Sequence, residues 1–348
     1  MVLAGDIGGT KAHLALFSRT PTGLDLVKDR SLPSAGFPTL EALIKAFVGP
    51  SELPEAICLG VPGPVVDGKA RITNLPWSLD ADVLRENLGV ARVLLLNDLE
   101  ATAWGIGVLQ PEELRTLNGG ECRTGSAALI AAGTGLGESI LFWNGARHVP
   151  SPSEGGHCSF SPRNPQEIDL LNYLAGSFGH VSWERVLSGP GLSNIYKFLR
   201  DSGRGSEDSR VAERMRAEDP NAVIAELGLL GTDALCSRTL DLFVSLYGSE
   251  AGNLALKAMA VAGVYIGGGI APKIAAKFAD GSFMRAFLDK GRLRELLERI
   301  PVHLILNPSA GLFGAARYTL LAVGDQRLPV INRCGPAESP AGLAKSNN

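Results

Sequence analysis

The sequence predicts an α/β protein of two domains, each opening on a strand, a tight glycine turn and a second strand. Three observations carry this. Two glycine turns echo each other across the chain: Gly5-Asp6-Ile7-Gly8-Gly9-Thr10 and Ala132-Gly133-Thr134-Gly135-Leu136-Gly137. Each is bracketed by short apolar runs, 1–4 and 12–17 for the first, 127–131 and 139–143 for the second, the pattern of two strands joined by a turn. Elsewhere apolar strands alternate with helical stripes, which places ligand groups at strand ends of a sheet flanked by helices. The length, 348 residues, suits about two domains.

The elements follow in order. Leu40, Leu43, Ile44 and Phe47 share one face of a helix over 38–47. Residues 56–61 form a buried strand that stops at Pro62-Gly63-Pro64. Residues 90–96 form another, ending at Asn97-Asp98, and a helix follows over 99–108. The polar stretch 110–122 reads as the crossing between domains. Helices are predicted at 168–174 and 194–200, a charged surface excursion at 201–219, and a helix at 235–247. A strand at 261–266 runs into Gly267-Gly268-Gly269. A helical stripe over 293–300, a strand at 302–306 and a helix at 310–321 complete the fold. From about residue 325 the composition is polar and proline-containing, and a disordered tail is expected over 325–348.

Composition excludes several classes. Hydrophobic content of 45% with 20% charged residues suits a globular chain with a large core. A net charge of −3 gives no electrostatic reason to expect nucleic acid or an anionic membrane. Five cysteines, with no CxxC spacing, argue for a reducing compartment and against a disulfide frame or a cysteine-ligated zinc. The N-terminus lacks the basic region of a signal peptide, and the longest uncharged stretch is too short to span a bilayer. A cytoplasmic protein is expected.

The motifs point to phosphate and polyol chemistry. Glycines let N–H groups converge on an anion with no Cβ in the way. In the first turn Asp6 precedes and Thr10 follows the glycines, a combination suited to a magnesium-bound phosphate. Gly63-Pro64-Val65-Val66-Asp67-Gly68-Lys69-Ala70 nearly matches a Walker loop, but Ala70 lacks the hydroxyl and the valines suit a hairpin. The second turn has the wrong spacing for a dinucleotide-binding fingerprint, and a strand, not a helix, follows it. Asp98, at a strand end and ahead of a helix, is both a good N-cap and a candidate general base for a substrate hydroxyl. Asn97 offers donor and acceptor to adjacent hydroxyls. Glu154-Gly155-Gly156-His157 sets a carboxylate and an imidazole around two glycines, as a binding loop would. Taken singly, Glu184 reads more often as a solvated charge than as a ligand. The Gly267-Gly268-Gly269-Ile270 bend leaves room for a flat ring.

These motifs together resemble the actin–hexokinase–Hsp70 superfamily, and more closely the bacterial ATP-dependent glucokinase family outside the ROK group. Six segments carry the resemblance in family order: 5–11, 96–100, 133–137, 154–157, 184–192 and 267–272. The cysteine-rich zinc motif of the ROK group is missing, Cys158 standing alone. Ala132 stands where the family usually has proline, and Leu99 and Glu100 where it has an aromatic and a small residue. The resemblance implies a two-domain actin-like ATPase fold with an interdomain cleft. Residues 1–108 with 308–324 would form the small domain and 109–307 the large one. It implies transfer of phosphate from MgATP to the 6-hydroxyl of glucose. Asp98 would be the base, and Asn97, Glu154, His157 and Glu184 would hold the other hydroxyls. Gly5, Asp6, Ile7, Gly8, Gly9 and Thr10 with Gly133, Thr134 and Gly135 would grip the phosphates. Gly267, Gly268, Gly269 and Ile270 would lie by the adenosine, and Asp6 near Mg²⁺, through water. The expected partners are glucose and, in a homodimer, a second copy of the chain.

Three rivals share this fold. A sugar-sensing repressor needs a basic helix-turn-helix, and the chain opens directly on its first strand. A kinase acting on an acyl phosphate needs cations for a carboxylate, whereas the candidate ligands here suit a neutral polyol; a kinase of another hexose fits them as well. A chaperone-like ATPase needs a peptide-binding domain.

Overall fold

In the computed structural model the residues described are 1–20, 23–49, 53–72, 75 and 77–322. The expected disordered tail lies outside them. Strands β1 (Val2–Ile7), β2 (Lys11–Thr20), β3 (Gly23–Pro33), β4 (Ala56–Val61), β5 (Lys69–Arg71), β6 (Ser78–Asp80) and β7 (Arg92–Asn97) occupy the first part of the chain. Five of them form one sheet in the order β3-β2-β1-β4-β7. An antiparallel meander of β1, β2 and β3 continues into parallel β4 and β7. Strand β4 is buried at all six positions, as a central parallel strand covered on both faces must be.

Strands β8 (Leu114–Asn118), β9 (Ala127–Ala132), β10 (Leu136–Trp143), β11 (His148–Ser153), β12 (Gly263–Gly267) and β13 (Val302–Ile305) form a second sheet in the order β11-β10-β9-β12-β13-β8. The same plan recurs: an antiparallel meander of β9, β10 and β11, then parallel β12 and β13. The echo between the glycine turns is therefore an echo between sheets, each turn joining the first two strands of its meander.

The near-Walker stretch folds as the hairpin its valines predicted. Val66 and Lys69 exchange both backbone hydrogen bonds, at 3.0 and 2.9 Å, and Asp67 and Gly68 between them have φ of 51° and 71°. Two central residues with positive φ make the tight hairpin turn that Asp-Gly favours.

Several expectations change. The presumed crossing at 110–122 contains β8, an edge strand antiparallel to β13; every position of it is half-buried or exposed, so its polarity hid it. Strands β3 and β11 were not foreseen. The first is an edge strand rich in exposed charge, and the second carries Pro150 and Pro152, tolerated only at an edge. The excursion at 201–219 includes the helix Ser209–Ala217, capped by Asp208 and buried only at Val211. The helix expected over 235–247 extends through Ala234–Ala258. Gly248 and Gly252 inside it lie against the carbonyls of Phe283 and Phe287, so close packing of the segment 282–287 requires glycine at both positions. Cys122 is disulfide-bonded, against the expectation of free thiols; pairing follows Cα proximity, which sequence spacing does not report. Cys58, Cys158 and Cys236 are free.

The helix Ala310–Ala322 returns to the first sheet, where Leu312, Ala315 and Ala316 join Val2, Ala4, Ala56 and Cys58 in one cluster. It crosses the helix Asp98–Gly105 in backbone contact. Gly314 rests on the Ala101 carbonyl and Gly105 on that of Ala310, so neither position admits a side chain.

Candidate active site

Parallel β1, β4 and β7 end at one edge of the first sheet. Asp6 pairs with Gly60, and Val61 with Asn97. The register therefore brings Asp6, Asn97 and Asp98 to the same edge, on either side of the end of β4. Gly60 keeps the edge tight: a Cβ there would lie 3.1 Å from that of Ala101 and 3.8 Å from the Asp98 Cα.

The N-cap of the helix Asp98–Gly105 is Asn97, not Asp98. The Leu99 and Glu100 N–H groups donate to Asn97 Oδ1 at 2.9 and 3.3 Å, while Asn97 Nδ2 donates to the Gly63 carbonyl at 3.0 Å. Asp98 becomes the first helical residue, held by a 2.8 Å bond from the Leu99 N–H. The helix N-terminus favours its negative form. Its side chain is reached by water but sits in a crevice, and burial raises its pKa despite the Leu99 N–H and Asn97 bonds. Asp6 is pushed up to about 6, by burial first and the Asp98 charge second, with His13 opposing. Two carboxylates thus converge, both made reluctant to ionise by burial, and Asp6 further by the Asp98 charge.

The first glycine turn is fixed from below. The Gly8 N–H donates to the Lys11 carbonyl at 2.8 Å. Ser34 takes up two of the turn's carbonyls, its N–H donating to Thr10 at 3.0 Å and its Oγ–H to Gly8 at 2.8 Å. Carbonyls engaged this way do not oppose an anion at the rim. Thr10 is exposed there.

The second turn gathers most of the remaining candidates. The Gly133 N–H donates to the Gly135 carbonyl, and the Gly189 N–H to the Gly133 carbonyl, both at 2.8 Å. Glu184 lies beneath: its Oε2 accepts from the Leu136 N–H at 3.0 Å and stands 2.5 Å from where a Cβ on Gly135 would be. The third glycine loop leans on the same turn. Gly268, at φ 85°, abuts the Ala132 carbonyl, which also accepts from the Ile270 N–H at 3.3 Å. Gly133 and Gly269 differ from these. A Cβ on either would meet nothing within 4 Å, and neither has positive φ. Neither packing nor backbone geometry asks for glycine there.

Glu154 and His157 face each other across their two glycines, Oε2 to Nε2 at 3.7 Å, with side chains 77% and 61% exposed. Gly155 rests on the Glu138 carboxyl and Gly156 on the Leu136 carbonyl, so the turn lies flat on β10. His180 Nε2 meets the His157 carbonyl at 3.1 Å. The two halves touch where Leu99, next to Asp98, reaches Gly137, its Cδ atoms 3.0 and 3.2 Å from the position of a Cβ. Every predicted residue thus lies in one of two groups, Gly5 to Asp98 at the first sheet and Gly133 to Ile270 at or beside the second, joined at that contact. A separate hollow of about 550 Å³ by Asn164, Glu167, Arg204 and Asp241 contains none of them.

Glu138 escaped the sequence reading. It is 1% exposed beneath the Glu154–His157 turn. Its signal was a lone carboxylate at an inward position of the otherwise apolar β10.

As to known proteins, the Glucokinase family model matches residues 3–322. The glucokinase of Trichormus variabilis is 42% identical over 334 residues, covering 91% of this chain and 98% of the relative. That of Synechocystis is 39% identical, covering 90% and 96%. Among solved structures, a glucokinase from an Antarctic psychrotroph superposes with a TM-score of 0.81 at 28% identity, over 91% of this chain and 98% of that one. A ROK family glucokinase from Streptomyces griseus, in complex with glucose and AMPPNP, superposes at 0.60 with 22% identity, over 91% and 98%, and speaks to the fold alone. Actin-like ATPase architecture, strand-end carboxylates and family match agree: this chain is an ATP-dependent hexose kinase and belongs to the Glucokinase family.

Proposed function

We propose that Asp98 takes the proton from the 6-hydroxyl of glucose while the glycine turns hold the phosphates of ATP opposite. The observation that carries this is the meeting of Asp6 and Asp98 at one edge of the first sheet, across the end of β4 and close enough for the Asp98 charge to act on Asp6, with Leu99 in contact with the second turn. A carboxylate with a raised pKa accepts a proton more readily than an ordinary one. Asn97, whose Nδ2 has a second N–H to offer, and Glu154, His157 and Glu184 supply donors and acceptors for the remaining hydroxyls.

Phosphoryl transfer asks the protein for alignment and charge neutralisation more than for covalent chemistry. Gly133 and Gly269, glycines for no internal reason, support close approach of a ligand to the backbone there, phosphate at the one and adenosine at the other. Asp6 fits Mg²⁺: it is a hard oxygen donor in a negative crevice, and Mg²⁺ commonly takes one or two protein carboxylates with waters and phosphates. Bound there, Mg²⁺ would offset phosphate charge and orient the terminal phosphoryl group. We assign residues 1–108 and 308–324 to one domain and 109–307 to the other. Closure between them would exclude water, which otherwise competes for the phosphoryl group. Three free thiols, Cys58, Cys158 and Cys236, favour a cytoplasmic setting, and the disulfide-bonded Cys122 counts against it; among the described residues no helix is long and apolar enough to cross a membrane.

The test is a coupled assay of ATP-dependent phosphorylation over a panel of hexoses, with Asp98→Asn alongside. Glucose should be the preferred acceptor, and the variant should lose roughly 10²–10⁴-fold in kcat with an unchanged melting curve. Near-normal turnover would remove Asp98 from its role.

A further inference from the structure

Beneath the Glu154–His157 turn lies a buried polar group that the chemistry above does not use. Glu138 projects inward from β10, and Glu250 meets it from the helix Ala234–Ala258; they are 1% and 0% exposed. Both oxygens of Glu250 are engaged. Lys257 Nζ donates to Oε1 at 3.0 Å and Asn253 Nδ2 to Oε2 at 2.7 Å. Glu138 has no cation of its own, and its Oε1 finds no donor among the described residues. Yet the two carboxyls lie within hydrogen-bond reach of each other. Carboxylates only accept, so that contact is favourable when one of them carries a proton. Glu250, already served by a lysine and an amide, is the charged partner, and Glu138 is the acid. Gly155 lies directly on the Glu138 carboxyl, and its N–H is held at 3.0 Å by Ser153 Oγ, the cross-strand neighbour of Glu138.

We propose that Glu138 is a positioning residue, which holds a proton shared with Glu250 and thereby keeps the Glu154–His157 turn seated for the sugar. Loss of the proton sets two buried like charges under a turn that itself carries Glu154, and the turn lifts. The proposal rests on the sugar-binding role given to that turn. Burial and the Glu250 charge, partly offset by Lys257, push Glu138 up to about 7, so the proton leaves near neutral pH. The other groups facing the pair are Tyr247 and Lys257 on the same helix, Cys158 after the turn, and Lys290 beyond Glu250. Burial holds the Tyr247 phenol neutral while the pair titrates, and the Glu250 charge, working against burial, raises Lys257.

Two measurements test this on the full chain. With glutamate side chains labelled at the carboxyl carbon, NMR titration should show one resonance with a midpoint well above the ordinary glutamate range, absent in Glu138→Gln. If every glutamate titrates in the ordinary range, there is no shared proton and the proposal is overturned. In parallel, the KM for glucose should rise about fivefold from about pH 6 to about pH 8.5 in the parent enzyme, the size of one net hydrogen bond, and stay flat in Glu138→Gln, which cannot lose the proton. The kcat profiles should coincide. A KM that climbs equally in Glu138→Gln assigns the pH dependence to another group and overturns the proposal. Glu154→Gln separates the two ideas: an unchanged glucose KM there refutes the sugar-binding role of the turn, whatever the titration of Glu138 shows.

Discussion

Gly133 and Gly268 are glycines of the same neighbourhood for opposite reasons, and replacing each with alanine tests the nucleotide site. At Gly268 the backbone is left-handed, φ 85°, and a methyl would run into the Ala132 carbonyl. Left-handed strain alone costs about 1–2 kcal/mol for a residue with a Cβ. Since 1 kcal/mol moves the melting point of a domain this size by about 2–4 °C, Gly268→Ala should lower Tm by several degrees. At Gly133 a methyl meets nothing within 4 Å, and the φ suits alanine. Restricting the unfolded chain should then leave stability unchanged or raise it by about 0.4–1 kcal/mol. The cost should appear on binding instead. A methyl forced into a packed contact costs about 1–3 kcal/mol, which is about 5- to 150-fold in the KM for ATP. The glucose KM should barely move. Melting curves and a glucose-6-phosphate dehydrogenase-coupled assay measure both quantities. A Gly133→Ala enzyme with parental KM for ATP refutes the reading that phosphate approaches this turn. One that melts early refutes the claim that the fold does not need the glycine.

Two further substitutions probe the carboxylates. Glu154→Gln should raise the KM for glucose and leave that for ATP within twofold or so, because a hydrogen bond to a charged group carries about 1.5–3 kcal/mol; equal losses for both substrates would count against its assignment. Asp6→Asn should change how stability follows pH. The folded pKa of Asp6, about 6, lies above the value of 3.8 for a free side chain. The folded state therefore holds the extra proton between those values, and stability falls as pH rises through that window. A shift of about two units bounds the loss at about 3 kcal/mol. Metal-free Asp6→Asn should show no such slope and melt higher than the parent above pH 6; parallel Tm profiles would show that Asp6 ionises without strain.

What the sequence disclosed follows from how local each signal is. The glycine turns, the apolar strands β4, β7 and β12, and the carboxylates at strand ends are written in runs of a few residues, and all were legible. The near-Walker loop was rightly rejected, because Ala70 lacks the hydroxyl and the valines suit the hairpin that forms. Edge strands were missed, since β3 and β11 face water and carry charge or proline in place of an apolar alternation. The cap of the Asp98–Gly105 helix was misplaced by one residue: Asn and Asp are equally good caps, and only the coordinates show Asn97 taking the task and leaving Asp98 to the crevice. Glu138 was illegible for a further reason. Its partners Glu250 and Lys257 come from a helix more than a hundred residues away, and no local pattern reports such a meeting.

Asp6 and Asp98 place a burden on the empty protein. Burial makes both harder to ionise than free side chains, and at Asp6 the Asp98 charge adds to it, so Asp6 would sit more easily with Asp98 neutral. Such sites persist because the strain is relieved when ligands arrive. A cation beside Asp6 removes the repulsion, and a hydroxyl hydrogen bonded to Asp98 replaces the solvation that the crevice withholds. Each ligand thereby improves the site for the other. Sugar and metal-bound nucleotide should bind with positive coupling, and that coupling should vanish in Asp6→Asn, where one of the two charges is already gone. Calorimetric titration of glucose with and without a non-hydrolysable MgATP analogue measures it. Equal affinities in the parent enzyme would mean that the two carboxylates, though neighbours, do not act through each other.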